Sequence, residues 1–108
     1  MKEADPVVRR NRIFAGKSSG IYVHKGGRGT YEDNEIVGNG KAGITIESTG
    51  APVVRRNRIN KNAYEAVWVM KDGAGVFVDN DLRENLKGPW DIHKEALGQV
   101  TRERNLES

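Results

Sequence analysis

The chain contains no cysteine, which excludes disulfides, thiolate metal sites and a cysteine nucleophile together. It has no apolar run near the ~20 residues that a membrane helix requires, and no apolar signal core follows Met1, Lys2 and Glu3. Neither membrane insertion nor export is encoded in these residues, and the expectation is a cytoplasmic protein. Histidine is almost as scarce, with only His24 and His93. Basic residues barely exceed acidic ones, 18 against 15, so a nucleic-acid surface would need the excess gathered on one face. At 108 residues, 36% hydrophobic and 31% charged, the chain reads as a single globular domain over 1–108.

What the sequence does contain is a repeat. PVVRRNRI stands at residues 6–13 and returns letter for letter at 52–59. Related acid-rich segments follow each copy, GTYEDNEI at 29–36 and GVFVDNDL at 75–82. The working period is therefore 23 residues, a spacing that signals a solenoid or an array. Coils start at Pro6, Gly29, Pro52 and Gly75, with a partial fifth at Gly98.

Stacking the coils sorts the residues into columns. Val8, Tyr31, Val54, Phe77 and Val100 form one apolar column, and Ile13, Ile36, Ile59 and Leu82 a second. The pairs Ile21/Val23, Ile44/Ile46, Val67/Val69 and Trp90/Ile92 alternate as a strand with one buried face does. Frequent β-branched residues and Gly or Pro every few positions argue against helices. Asn11, Asn34, Asn57 and Asn80 share one column; Asn39, Asn62 and Asn85, with Gly16, share another. Asparagine tolerates left-handed backbone, and amides stacked at the ~4.8 Å strand spacing can bond from coil to coil as a ladder. Gly20 and Gly43, followed by Ala66 and Pro89, mark a third corner. Parallel strands joined by crossovers of this length describe an all-β fold, a short right-handed parallel β-helix of about four and a half coils.

The motifs PVVRRNRI, GIYVHKGGRG, YEDNEIVGN and KAGITI resemble the parallel β-helix repeats of the pectate-lyase-like superfamily. They are most similar to the carbohydrate-binding and sugar-hydrolase repeats of certain eukaryotic F-box substrate receptors and of bacterial proteins, sometimes appended to kinases. The resemblance covers about residues 5–92. It implies the fold but not an activity, because such families include lyases, hydrolases and scaffolds without known chemistry.

Charge alternates between coils. Arg10, Asp33, Arg56, Asp79 and Arg102 form one column, and Arg12, Glu35, Arg58, Asp81 and Arg104 another; Arg9, Glu32 and Arg55 begin a third. Opposite charges at the cross-strand distance pair favourably, so these columns read first as a register-setting ladder of ion pairs. The alternation also cancels the field that nucleic acid would require. A lyase site would need carboxylates converging on Ca²⁺ beside an Arg or Lys base. Asp33, Asp79 and Asp81 are the candidates, but Asp33 and Asp79 lie two coils apart, ~9.6 Å, with Arg56 between them. His24 and His93 fall in one column three coils apart, ~14 Å, too far to share a metal. No metal site and no cofactor are expected.

The outward side of the third strand offers a binding surface instead. Tyr22, Thr45, Trp68 and Asp91 stack there in one column, where exposed aromatics can receive a sugar ring or anchor a protein; Lys25, Lys71 and Lys94 add a basic rim. The expectation is a non-catalytic scaffold or binding module with a protein or glycan partner. The alternative is a carbohydrate-binding or pectate-lyase-like protein. Neither nucleic acid nor membrane is an expected partner. Trp90, behind Pro89, is placed to plug the C-terminal end of the core. No such device appears in residues 1–5, so a homodimer through the N-terminal coil is expected, covering Val8, Ile13, Ile21 and Val23.

Overall fold

A computed structural model describes residues 7–14, 16–23, 27–47 and 50–107. Among the described residues, twelve short strands follow the repeat: β1 (Val7–Arg9), β2 (Arg12–Phe14), β3 (Ile21–Val23), β4 (Thr30–Glu32), β5 (Glu35–Val37), β6 (Ile44–Ile46), β7 (Val53–Arg55), β8 (Arg58–Asn60), β9 (Val67–Val69), β10 (Gly75–Val78), β11 (Trp90–Ile92) and β12 (Val100–Glu103). They form three parallel sheets, β1-β4-β7-β10-β12, β2-β5-β8 and β3-β6-β9-β11. Pairing keeps the 23-residue offset through four coils: Val8 lies opposite Tyr31, Ile13 opposite Ile36 and Tyr22 opposite Thr45. The result is a right-handed parallel β-helix of about four turns.

Inward columns make the core. Ile36, Ile44, Ile46, Val54, Ile59, Val67, Val69, Phe77 and Leu82 are fully enclosed, and burying each such side chain contributes roughly 1.5–3 kcal/mol. The third corner is tight for the same reason. A Cβ at Gly43 would meet Ile59 Cγ2 and stand 2.8 Å from the Ala66 carbonyl oxygen.

The first corner departs from expectation in an instructive way. The left-handed residue is the charged one before each ladder asparagine: Arg10, Asp33, Arg56, Asp79 and Arg104 have φ between 54° and 58°. Lys61 and Glu84, with Gly38, do the same before the second asparagine column. A left-handed non-glycine residue costs roughly 1–2 kcal/mol, yet it turns the chain sharply between two strands. The turn takes the next N–H out of the strand ladder, and a side-chain amide receives it. Asn34 N–H donates to Asn57 Oδ1 at 2.9 Å and Asn57 N–H to Asn80 Oδ1 at 3.0 Å. Asn39 and Asn62 repeat the pattern towards Asn62 and Asn85, both at 3.0 Å, and Gly16 N–H donates to Asn39 Oδ1. The asparagines thus satisfy the backbone that the left-handed corner exposes.

The fifth coil slips by two. A 3₁₀ helix, Lys94–Gln99, precedes β12, so Gly75 lies opposite Val100 and Phe77 opposite Arg102. The partial coil therefore registers from Val100, not Gly98. Val100 leaves the Phe77 column, Arg102 leaves the Asp79 column, and Arg104 takes that place. Asn105, not Glu103, continues the ladder, accepting from Asn80 N and Nδ2 at 3.0 Å each. Phe77 is then the last apolar side chain of its column. Trp90 packs edge-on against it at 5.4 Å, Ala96 of the 3₁₀ helix is buried in the same cluster, and the Trp90 indole N–H donates to Glu107 at 2.8 Å.

Candidate functional site

Two outward surfaces carry chemistry, the charged first corner and the face of the β3-β6-β9-β11 sheet. At the corner the ion pairs run between coils. Arg55 Nη2 lies 2.8 Å from Glu32, Arg56 Nε 3.0 Å from Asp33, Arg58 Nη1 3.5 Å from Glu35, and Arg104 Nε 2.8 Å from Asp79. Asp33 and Asp79 are both held below the ordinary carboxylate pKa, chiefly by hydrogen bonds from Arg56 and Arg104.

Asp81 breaks the column rule. Its partner is Arg83, two residues along its own chain, at 2.8 Å, and Asn60 Nδ2 also reaches it. The Arg83 bond is the main cause of its pKa falling to about 2. A column alignment cannot reveal a partner within the same coil. Each of the three candidate carboxylates is therefore already bonded to a guanidinium. They are held ionised at neutral pH, and a cation approaching any of them would compete with that guanidinium. No cluster of three or more metal-ligating side chains occurs among the described residues.

Reversing one rung tests these pairs. Arg56→Asp sets a new carboxylate between Asp33 and Asp79, and like charges directly opposite are destabilising. The melting temperature should fall further for Arg56→Asp than for Arg56→Ala, with the difference shrinking at high salt. Equal falls would mean that the column contributes nothing to stability.

The third-strand face is built by register. Tyr22 lies opposite Thr45, Thr45 opposite Trp68, and Trp68 opposite Asp91. Tyr22 is 52% exposed. Its hydroxyl donates to Glu47, which raises its pKa above the ordinary tyrosine value. Thr45 departs from the expected outward row of accessible side chains: it is 3% exposed, and its hydroxyl meets that of Ser19 at 2.5 Å. Ser19, from the segment before β3, covers it. Asp91 is exposed.

Trp68 is half-buried because a neighbour absent from the column covers it. Tyr64 packs beside it with ring centroids 6.2 Å apart, and Lys87 Nζ sits 4.5 Å over the Tyr64 ring. Of the basic rim, Lys71 faces Glu95 at 3.8 Å and Lys94 opens the 3₁₀ helix. Lys25 and His24 lie outside the described residues. His93 has a structural contact, its Nδ1 accepting the Glu95 N–H at 3.1 Å.

A family model for right-handed β-helix regions matches residues 1–101. The chain belongs to the right-handed β-helix family. No curated protein and no solved structure matches it. In this β-helix Tyr22 and Trp68 stand on the sheet and Tyr64 on the corner segment before β9, with Glu47 and Lys87 as polar flanks. A shallow groove of ≈360 Å³ lies on a different side, lined among others by Arg12, Phe14, Glu35, Arg58 and Lys61. The exposed Phe14 that forms its wall, with the Arg12 guanidinium 4.9 Å over the ring, belongs to a further surface that the columns alone did not single out.

Proposed function

We propose that this β-helix is a non-catalytic binding module that takes a glycan or protein partner on the outward face of the β3-β6-β9-β11 sheet. The carrying observation is the division of labour between the two surfaces. Asp33, Asp79 and Asp81 are each occupied by an arginine, whereas Tyr22 and Trp68 stand in one outward column of the sheet, two strands apart with Thr45 between them. Aromatic rings at two strand spacings, ~9.6 Å, suit successive sugar rings or a flat apolar patch. The alternative is a carbohydrate-active, pectate-lyase-like protein, whose chemistry would fall on the charged corner.

The two tryptophans give a direct readout. In titrations with neutral and acidic oligosaccharides followed by NMR, the Trp68 indole signal should move, while that of Trp90, tied to Glu107, should stay. Trp68→Ala should weaken binding by at least about tenfold, the effect of one lost anchor. Ligand-dependent shifts confined to the charged corner would favour the alternative.

A further inference from the structure

The corner ladder has a direction. In each interior rung Oδ1 accepts from the asparagine of the preceding coil. Nδ2 donates to a strand carbonyl of that coil, as Asn34 does to Val8, Asn57 to Tyr31 and Asn80 to Val54, at 2.8–3.0 Å. The arginines point the same way. Arg55, Arg56 and Arg58 bond to Glu32, Asp33 and Glu35 of the coil before them, and Arg104 to Asp79.

Residues 6–13 and 52–59 are identical, yet the first copy pairs differently. Arg9 and Arg12 turn to Glu32 and Glu35 of the coil after them. Arg10 makes no ion pair among the described residues, and Asn11 Nδ2 folds back onto its own Arg9 carbonyl at 3.0 Å. Among the described residues β1 has a strand neighbour, β4, on one side only. Its other edge presents strand N–H and C=O groups, the Asn11 Oδ1 acceptor and the Arg10 guanidinium, flanked by Arg9 and Arg12, which each already meet a carboxylate of the following coil.

We propose that this edge of β1, with Arg10, Asn11 and Arg12, docks an extended acidic strand that adds as one more parallel rung, of the form apolar-Glu-Asp-Asn-Glu. The fold contains the template. β7 has the same sequence as β1, and the segment seated on the corresponding side of β7 runs Tyr31, Glu32, Asp33, Asn34, Glu35. Such a strand supplies backbone partners to β1, amide donors to Asn11 Oδ1, and carboxylates to Arg9, Arg10 and Arg12. A second copy of this chain suits the edge less well. Pairing two β1 edges brings like charges together. Pairing β1 with the β12 end of another copy opposes Glu103 to Arg9 favourably but sets Arg104 against Arg10.

The test uses two synthetic peptides on the whole chain: GTYEDNEIVGNG, the sequence of residues 29–40, and its charge-reversed form GTYRRNRIVGNG. The acidic peptide should bind at least about tenfold more tightly, shift the amide signals of Val7, Val8 and Arg9, and weaken as salt rises. The double variant Arg10→Glu with Arg12→Glu should reverse the preference. Three results would overturn the proposal: no binding of the acidic peptide, equal binding of both peptides, or shifts away from β1. A wild-type chain that dimerises through β1 at micromolar concentration would also overturn it, assigning the edge to a second copy.

Discussion

Asn57→Leu is expected to lower stability by roughly 3–5 kcal/mol, because unmet buried polar groups cost about 1–3 kcal/mol each and this substitution strands several. Asn57 is 1% exposed. Its Nδ2 donates to the Tyr31 carbonyl at 2.8 Å and to Asn80 Oδ1 at 3.1 Å, and its Oδ1 accepts from Asn34 N and Nδ2 at 2.9 and 3.0 Å. Leucine leaves the Asn34 N–H without its acceptor and removes the Nδ2 bonds to Tyr31 and Asn80, at a corner whose left-handed residue, Arg56, already carries strain. The same change at the exposed Asn11 should cost less than about 1 kcal/mol, since no buried group loses its only partner there. Urea midpoints measure both variants; equal shifts would mean that burial does not set the ladder's worth.

Phe77→Ala should cost about 3–5 kcal/mol, the range for emptying a buried phenylalanine site. Phe77 is fully enclosed, and its column has Val54 on one side and Arg102 on the other. The following rung places Arg102, not an apolar residue, directly opposite Phe77. Trp90 loses the ring it meets edge-on, so its fluorescence should shift to the red along with the lowered midpoint. A midpoint within about 1 kcal/mol of wild type would show that the C-terminal end of the core repacks around the gap.

The fold was legible because a parallel β-helix projects its columns directly onto the sequence. A fixed period places Ile13, Ile36 and Ile59 in one line, and the structure pairs them so. What escaped the columns depends on reach and insertion. The 3₁₀ helix Lys94–Gln99 absorbs two residues, so constant spacing misplaces Arg102 and Arg104; the late arrival of Asn105 was the sequence signal of that slip. The left-handed position went to the charged residue because the ladder needs the following asparagine in its own geometry to receive N–H groups. Thr45 lies in an outward column but is covered by Ser19, and Trp68 is flanked by Tyr64. Both contacts come from corner segments whose path a strand alignment does not specify. At the charged corner the alternation of sign was visible in the sequence, but the Asp81 to Arg83 bond was not, because it runs along the chain instead of across it.

The proposed role of Glu32, Asp33, Glu35 and Asp79 is to hold neighbouring coils together by ion pairs, not to catalyse a reaction. Incubating the wild-type chain with polygalacturonate and with neutral and acidic glycans, with and without Ca²⁺, tests it most directly. No new reducing ends and no unsaturated-uronide absorbance are expected under any of these conditions. Turnover that disappears in Asp79→Asn would contradict that role and move the functional site from the aromatic sheet face to the charged corner.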